Sequence, residues 1–250
     1  MAKALGGVAI VETPAALAAE ATELFVRSAA EAIGDRGRFA VALAGGATPR
    51  GLYTTLAGEP ARARVDWRRT WVFFGDERCV PPTDPESNYR MAWETLLGKV
   101  PVPSGQIFRI AGEATDAARA AADYEATLRA VLEPGAGRCD LILLGMGLDG
   151  HVASLFPGSP VLEERDRLVA AVETRAAVVS RRITLTLPAI NAARRVLFLI
   201  AGAEKARAVA AALRDPASPL PAARVHPRDG VLTWLLDRAA AAALERPATT

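Results

Sequence analysis

Short apolar runs that alternate with longer helix-forming stretches are the feature of this sequence that most constrains its fold. The runs have the length of buried strands, and stretches of ten or more residues with helical character separate most of them. The predicted strands cover residues 8–11, 39–43, 70–74, 141–144, 168–172, 183–187 and 196–201. This alternation predicts a three-layer αβα fold, in which helices cover a mainly parallel, Rossmann-like sheet.

The predicted helices occupy the intervals between these strands. Thr13 and Pro14 are residue types that begin helices, and the first helix is expected to end near Gly34. The other predicted helices run from the turn at residues 45–49 through Leu56, over 85–97, 114–132 and 204–213, and through the alanine-rich tail after 236. Residues 231–236 fit a strand or a helix. Without an internal repeat or a linker-like stretch, residues 1–250 are expected to form a single domain.

The charge of the chain is almost balanced, with 30 Lys and Arg residues against 28 Asp and Glu residues and a net charge of +2. This balance argues against a nucleic-acid partner or an anionic membrane surface, because both select basic surfaces. No apolar run approaches the roughly 18 residues that span a bilayer. Cys79 and Cys139 are too few to staple a chain of this length, which favours a reducing compartment. We expect a cytoplasmic protein, either a monomer or a homodimer.

His151, one of two histidines, follows a predicted strand in a glycine-rich segment. Gly145, Gly147 and Gly150 form a turn that presents Asp149 and His151 beyond the carboxyl end of that strand, where open α/β sheets bind ligands. The glycines indicate that another group approaches the backbone closely. An imidazole is suited to proton transfer near neutral pH. We therefore predict acid–base catalysis by His151 with Asp149, against the alternative of a structural, hydrogen-bonded histidine.

The same segment, Gly-Met-Gly-Leu-Asp-Gly, matches the dinucleotide-binding pattern G-x-G-x-x-G after a strand. Two observations argue against a dinucleotide. Asp149 would bring an anion next to the pyrophosphate, and the match lies past the middle of the chain, whereas the pattern belongs to the first βα turn of its fold. We interpret the match as fortuitous.

A second glycine-rich turn, Gly45-Gly46-Ala47-Thr48 before Pro49, lies between a predicted strand and a helix. Thr48 is expected to cap the helix, and exposed N–H groups at a helix N-terminus bind anions, most often phosphate. The Lys-Ser/Thr pair of a nucleotide-binding P-loop is missing, which argues against a nucleoside triphosphate. The turn predicts a phosphate site, with a simple helix-capping turn as the alternative.

Three cations at other predicted strand ends are candidates for the same anion site: Arg78, Arg182 and Lys205. One arginine can donate two parallel hydrogen bonds to phosphate oxygens, and lysine acts as a point charge. These three cations together therefore fit a sugar phosphate. Asp76 and Glu77, which directly follow a strand, are expected to shape the site. Glu77 is expected either to hold the Arg78 guanidinium or to form a surface ion pair.

Segments along nearly the whole chain resemble the 6-phosphogluconolactonase family. They are Leu-Ala-Gly-Gly-Ala-Thr-Pro-Arg (43–50), Phe-Gly-Asp-Glu-Arg (74–78) with Val80-Pro81, Glu-Ser-Asn-Tyr (86–89), the segment 145–158, Arg-Ile-Thr-Leu-Thr-Leu-Pro-Ala-Ile-Asn (182–191), Gly-Ala-Glu-Lys (202–205) and Leu-Pro-Ala-Ala-Arg-Val (220–225). The most specific is Asp-Gly-His-Val-Ala-Ser-Leu-Phe-Pro (149–157).

The resemblance implies hydrolysis of 6-phospho-D-glucono-1,5-lactone to 6-phosphogluconate, the second step of the oxidative pentose phosphate pathway. It also implies a three-layer α/β fold without a metal or an organic cofactor. The family's phosphate loop commonly reads Ser-Gly-Gly-Ser-Thr-Pro, whereas this chain has Ala44 and Ala47 in place of the serines. We expect Thr48 and backbone N–H groups to bind phosphate there, with weaker affinity.

Glucosamine-6-phosphate deaminases share the family's fold and have the segment Asp-Gly-His-Ile-Ala-Phe-Asn-Glu-Pro, whose glutamate aligns with Phe156. A deaminase–isomerase needs several proton transfers, which an aromatic hydrocarbon cannot carry. Phe156 therefore favours lactone hydrolysis. The alternatives are an amino-sugar-phosphate deaminase and a non-catalytic sugar-phosphate sensor, although no residues are left to form the DNA-binding module of a regulator.

In the expected reaction, neutral His151 removes a proton from water and later protonates the departing ring oxygen, while Asp149 supports the imidazole. Arg78 or the N–H groups of the 45–48 turn stabilise the oxyanion. A covalent route through Ser154 lacks the G-x-S-x-G elbow, and Ser154 is expected to bond to the backbone. His226, in a proline-flanked loop, is expected to matter much less than His151.

Overall fold

The central sheet consists of six parallel strands. A computed structural model describes residues 7–133, 137–174, 178–215 and 217–244 of the chain. The strand order is β1 (Gly7–Val11), β9 (Val231–Asp237), β8 (Arg195–Ile200), β5 (Leu141–Leu144), β2 (Phe39–Leu43) and β3 (Thr70–Phe74). Every residue of β2 and β5 is buried, as is typical of parallel strands covered on both faces.

A second sheet of three antiparallel strands has the order β4 (Asp76–Arg78), β7 (Arg181–Leu185) and β6 (Val169–Glu173). Gly75 connects the two sheets, because its N–H donates to Leu43 of β2 and its carbonyl accepts from Leu185 of β7, both at 2.8 Å. The sequence analysis predicted no strand after residue 74 until residue 141, so it missed β4.

Helices flank the central sheet, which confirms the predicted mainly parallel α/β fold. They are α1 (Pro14–Arg36), α2 (Ala47–Ala57), α3 (Asn88–Ala92), α4 (Ala117–Leu132), α5 (Leu187–Ala192), α6 (Ala206–Arg214) and α7 (Arg238–Ala241). Helix α1 packs against β2, β9 and α2, whereas α4 packs against β6 and β7 of the second sheet. No helix in the described part of the chain is long and apolar enough to cross a bilayer.

Capping residues account for most differences between predicted and observed helix ends. Thr13 caps α1 as expected, since its hydroxyl accepts from the N–H of Ala16 at 3.1 Å. The helix continues past Gly34 to Arg36, because Gly37 supplies the left-handed conformation (φ 73°) that ends it. Ser87 and Asp116 cap α3 and α4, so both helices begin three residues later than predicted.

Other predicted boundaries also moved. Residue 187, predicted as strand, opens α5, and residues 204–205 lie in a 3-10 turn before α6. Residues 231–236, which fitted either class, form a strand. The tail is helical only over Arg238–Ala241, and the prediction beyond residue 244 lies outside the described residues.

Candidate active site

A cavity of about 410 Å³ lies at the carboxyl ends of β2, β3, β5 and β8. Nine of the eleven site residues named from the sequence line it: Gly45, Gly46, Ala47, Thr48, Asp76, Arg78, His151, Arg182 and Lys205. Asp149 contacts His151 without lining the cavity, and Glu77 does not line it either. Residues that are more than 150 positions apart in sequence therefore meet at one site, at the edge of the sheet where ligands of α/β folds bind.

The 45–48 turn forms part of the cavity wall, and the residue before it is anchored by Tyr53. The hydroxyl of Tyr53 donates to the carbonyl of Ala44 at 2.8 Å and accepts from its N–H at 2.9 Å. Gly46, with a φ of 98°, occupies the N-cap of α2, and no side chain caps the helix. The expectation that Thr48 caps was wrong, because Thr48 lies inside the first turn. Helix α2 thus begins at the cavity, where the first N–H groups of a helix lack intrahelical partners.

Asn88 is a site residue that the sequence analysis did not identify. Its side chain is buried, lines the cavity and lies so close to Gly45 that a Cβ atom there would overlap the amide. Its Nδ2 donates to the Asp76 carbonyl at 2.9 Å and to Asp76 Oδ1 at 3.0 Å. Asn88 therefore joins the glycine turn to β4, and Gly45 must lack a side chain to allow it.

Asp76 is the centre of a buried polar network. Its Oδ2 accepts a hydrogen bond from the Ser154 hydroxyl at 2.6 Å and lies 3.9 Å from Nη1 of Arg182. Asp76, Ser154 and Arg182 are 6%, 0% and 7% exposed. The expectation that Ser154 bonds to the backbone was wrong, because its hydroxyl donates to a carboxylate.

Glu77 is buried on the other side of β4 from Asp76 and Arg78. Its carboxylate accepts from the N–H groups of Arg78, Asn88 and Tyr89 at 2.8 Å and from the Ser87 hydroxyl at 3.0 Å. Neither expectation for Glu77 was correct, since it neither holds the Arg78 guanidinium nor forms a surface ion pair. Neighbouring residues of a strand face opposite sides, so Glu77 points away from the cavity that Asp76 and Arg78 line.

The Arg78 guanidinium is held instead by the segment before α3. Its Nη1 donates to the Glu86 carbonyl and lies 3.9 Å from the Glu86 carboxylate. Nε of Arg78 is buried and has no hydrogen-bond partner among the described residues. Such an atom can donate to a ligand that enters the cavity.

His151 and Asp149 form a short pair, with 2.6 Å between Nδ1 and Oδ1. Partial burial raises the pKa of Asp149, but the hydrogen bonds and charge of His151 outweigh it and hold the carboxyl pKa below its usual value. An ionised carboxylate only accepts hydrogen bonds, so Nδ1 carries the imidazole proton and Nε2 is the basic nitrogen. The ring also packs against Phe156, with 4.5 Å between centroids.

The close approach to the backbone that the glycines indicated is found at Gly147. A Cβ atom at Gly147 would overlap the His151 imidazole and the Asp149 carboxylate. The group that approaches this backbone is therefore the pair formed by His151 and Asp149. A dinucleotide-binding turn would lead directly from β5 into a helix. No residue of the segment 145–159 that follows β5 is helical.

Lys205 reaches the cavity from a 3-10 turn, Ala203–Lys205, that follows β8. Burial lowers the pKa of Lys205, although the carboxylates of Glu204 and Asp149 oppose this effect. Burial also lowers the pKa of Arg182, with Asp76 opposing it. Both cations are thus poorly solvated, and the charge of a bound anion would offset the loss of hydration. Glu204, which the sequence analysis did not identify, lines the cavity beside Lys205.

Among the described residues, no group of three or more His, Cys, Asp or Glu side chains is arranged to hold a metal ion. The polar atoms of the cavity are instead a basic nitrogen, carboxylates, an amide, guanidinium and ammonium groups, and the start of a helix. This set can deprotonate water and bind an anion.

Comparison with known proteins identifies the family. The family described as "Glucosamine-6-phosphate isomerases/6-phosphogluconolactonase" matches residues 12–234. The chain belongs to this family. A 6-phosphogluconolactonase of Rattus norvegicus is 40% identical over 249 residues, which cover 98% of this chain and 96% of that protein.

Solved structures of this family have the same fold. A 6-phosphogluconolactonase from Trypanosoma cruzi superposes with a TM-score of 0.85 at 29% identity, covering 96% of this chain and 97% of that one. A monomeric glucosamine-6-phosphate deaminase superposes with a TM-score of 0.81 at 22% identity, covering 94% of this chain and 99% of that one. The second similarity is one of fold alone, so the two activities of the family must be distinguished at the site.

Proposed function

We propose that this protein hydrolyses 6-phospho-D-glucono-1,5-lactone to 6-phosphogluconate in the oxidative pentose phosphate pathway. The observation that carries the proposal is a histidine, hydrogen-bonded to an aspartate, that lines the same cavity as a helix N-terminus and three cations. A six-membered lactone is an activated ester, which water attacks once a base removes its proton. The 40% identity to a 6-phosphogluconolactonase supports the same assignment.

His151 acts as the general base in this proposal. Its Nε2 takes a proton from water as the water oxygen bonds to the lactone carbonyl carbon. When the bond from that carbon to the ring oxygen breaks, Nε2 returns the proton to the ring oxygen. Asp149 is hydrogen-bonded to Nδ1 and stabilises the imidazolium that exists between the two transfers.

The phosphate and the oxyanion are assigned to different groups. Arg182, Lys205 and the 45–48 turn bind the 6-phosphate, because they combine two poorly solvated cations with the N-terminus of α2. Asp76 accepts hydrogen bonds from sugar hydroxyls. Arg78 contributes to anion binding, and its unpartnered Nε is a candidate donor to the oxyanion, as are N–H groups of the turn.

Phe156 favours the lactonase over the amino-sugar-phosphate deaminase. The ring is buried, packs against the imidazole of His151 and lies 5.7 Å from the carbon of the Arg182 guanidinium. A deaminase–isomerase needs a further proton-transfer group, and this side chain cannot supply one. A sugar-phosphate sensor without catalytic activity is the remaining alternative.

The decisive experiment compares phosphorylated and unphosphorylated gluconolactone as substrates, with spontaneous opening subtracted. We expect fast hydrolysis of the phosphorylated lactone, and a much lower kcat/KM for the other. Ammonia release from glucosamine-6-phosphate, measured in parallel, would identify a deaminase. Binding of 6-phosphogluconate with no acceleration of lactone opening would identify a sensor.

We also propose a cytoplasmic location and a sugar phosphate, rather than a nucleic acid, as the ligand. Cys79 and Cys139 are free thiols, which fits a reducing compartment. With a net charge of +2, the chain lacks the excess of basic residues that is typical of proteins that bind nucleic acids. The prediction of a monomer or homodimer is tested by light scattering on the purified protein.

A further inference from the structure

Two donors lie near the same oxygen of Asp76. The Ser154 hydroxyl donates to Oδ2 at 2.6 Å, whereas Nη1 of Arg182 is 3.9 Å from that oxygen. The other oxygen, Oδ1, accepts from Asn88. The carboxylate is therefore held by two neutral groups, and the guanidinium beside it remains outside hydrogen-bond distance.

Arg182 is anchored independently of Asp76. Its Nε donates to the Val179 carbonyl at 3.0 Å, and its guanidinium carbon lies 5.7 Å from the centroid of the Phe156 ring. These contacts orient the side chain in the wall of the cavity. Asp76 attracts the guanidinium across 3.9 Å but does not accept a hydrogen bond from it, so the N–H groups that face Asp76 are not taken up by the carboxylate.

We propose that Ser154 is a positioning residue that keeps the Asp76 carboxylate from accepting a hydrogen bond from Arg182 and so leaves the N–H groups of the guanidinium for the phosphate of the substrate. Without the hydroxyl, Oδ2 would be a buried acceptor that lacks its partner, which is unfavourable. Arg182 is the cation that lies beside this oxygen. A small rotation of the carboxylate would close the gap, and the phosphate would then compete with Asp76 for the same guanidinium.

This inference rests on the proposed function, since it assumes that the cavity binds a sugar phosphate. It differs from a structural role for Ser154 in one measurable respect. Loss of the hydroxyl must weaken binding of the phosphorylated ligand more than binding of its unphosphorylated counterpart. A loss of packing or stability would affect both ligands alike.

The test is calorimetric titration of the full-length protein with 6-phosphogluconate and with gluconate. For Ser154→Ala we expect the Kd of 6-phosphogluconate to rise about tenfold, the size of effect expected for one charge-assisted hydrogen bond, and the Kd of gluconate to change little. Ser154→Cys, which keeps the side-chain size but is a weak donor, is expected to show a smaller change in the same direction if Ser154→Ala does not fold.

Ser87→Ala is the matched control. Ser87 is also buried and also donates to a carboxylate, that of Glu77, which does not line the cavity. Its loss is expected to lower stability without changing the ratio of the two dissociation constants.

An Asp76→Asn background tests whether the effect runs through Asp76. A neutral amide cannot form the competing ion pair, so adding Ser154→Ala is expected to change the Kd of 6-phosphogluconate less than twofold there. An unchanged ratio in Ser154→Ala, or a tenfold loss that persists in Asp76→Asn, would overturn the inference. Failure of the unaltered protein to bind 6-phosphogluconate would overturn it together with the proposed function. Binding without lactone hydrolysis would remove the proposed function only.

Discussion

The proton on His151 is fixed by a single neighbour. Asp149 lies 2.6 Å from Nδ1, and the backbone N–H of His151 donates to the same carboxylate oxygen at 3.2 Å. Because the pKa of Asp149 is held below its usual value, the carboxylate stays ionised at neutral pH and accepts from Nδ1–H. Only Nε2 is then available as a base.

We expect His151→Ala to lower kcat by about 10²–10⁴-fold, the usual contribution of a general base, with little effect on folding because the imidazole is partly exposed. The measurement is the lactonase rate above spontaneous hydrolysis. His226→Ala is the matched control, because His226 is exposed and does not line the cavity. Near-normal activity of a folded His151→Ala protein would refute the general base.

Lys205 gives the proposed phosphate site a specific pH dependence. Lysine ordinarily titrates near pH 10.4, and burial lowers the pKa of Lys205. Its positive charge is present below that pKa and is lost as pH rises through it. The affinity for 6-phosphogluconate is therefore expected to fall with rising pH earlier than an exposed lysine would allow, as measured by calorimetry at several alkaline pH values.

Lys205→Arg serves as the control for this pH dependence. The guanidinium stays charged throughout the alkaline range, so the variant should lack the alkaline loss of affinity. A loss with the same midpoint in the variant would mean that a group other than Lys205 titrates.

Several contacts of individual residues could not be predicted from the sequence. The pairing of His151 with Asp149 could be predicted, because the two residues are two positions apart in a glycine-rich turn after a strand. The Ser154–Asp76 hydrogen bond joins residues on different elements, and no local pattern encodes it. Asn88 lay in a segment that resembles the family, but its contact with Gly45 depends on how α3 packs beside the glycine turn.

At the level of elements, burial determined which strands the sequence could predict. Strands β2, β3 and β5 have the predicted bounds, since a strand covered on both faces has a continuous apolar run. Strand β4, by contrast, has the sequence Asp-Glu-Arg, which contains no apolar residue. It forms because it pairs with the distant strand β7 and because its central carboxylate, Glu77, binds the start of α3.

Glu77→Gln is expected to destabilise the protein by about 2–4 kcal/mol, because each buried donor left without an acceptor costs about 1–3 kcal/mol. Each oxygen of the Glu77 carboxylate accepts two hydrogen bonds. In glutamine an NH₂ group, which cannot accept, would replace one of these oxygens and leave its two donors without an acceptor. Urea denaturation measures the loss. Glu113→Gln, which removes a partly exposed ion pair with Arg109, should cost less than about 1 kcal/mol. Equal effects of the two variants would show that the Glu77 network contributes nothing beyond an exposed ion pair.

At the level of the whole molecule, the cavity depends on both sheets. Gly75 hydrogen-bonds to β2 and to β7, so Asp76 and Arg78 of the second sheet lie opposite the turns that follow the central strands. The alternation of strands and helices predicted the central sheet and the edge at which the cavity lies. It did not predict the second sheet, whose pairing is antiparallel and joins short strands that are distant in the sequence.

This arrangement predicts that a phosphorylated ligand stabilises the folded protein as a whole. A ligand that binds only the native state adds RT ln(1 + [L]/Kd), about 2.7 kcal/mol at 100 times the Kd. For a domain of this size that corresponds to a rise in Tm of roughly 5–10 °C. We expect 6-phosphogluconate to produce this rise in thermal denaturation. Gluconate at the same concentration should produce little, because it lacks the phosphate dianion that we propose Arg182 and Lys205 bind.

The variants Arg182→Ala and Lys205→Ala test that attribution. Each removes one cation from the cavity wall, which should raise the Kd of 6-phosphogluconate by about ten- to a hundredfold. At the fixed ligand concentration the rise in Tm should therefore shrink by about half or more. Arg62→Ala, which removes a cation outside the cavity, should retain the full rise. Equal rises with 6-phosphogluconate and gluconate would show that the phosphate contributes nothing to binding and would remove Arg182 and Lys205 from the site.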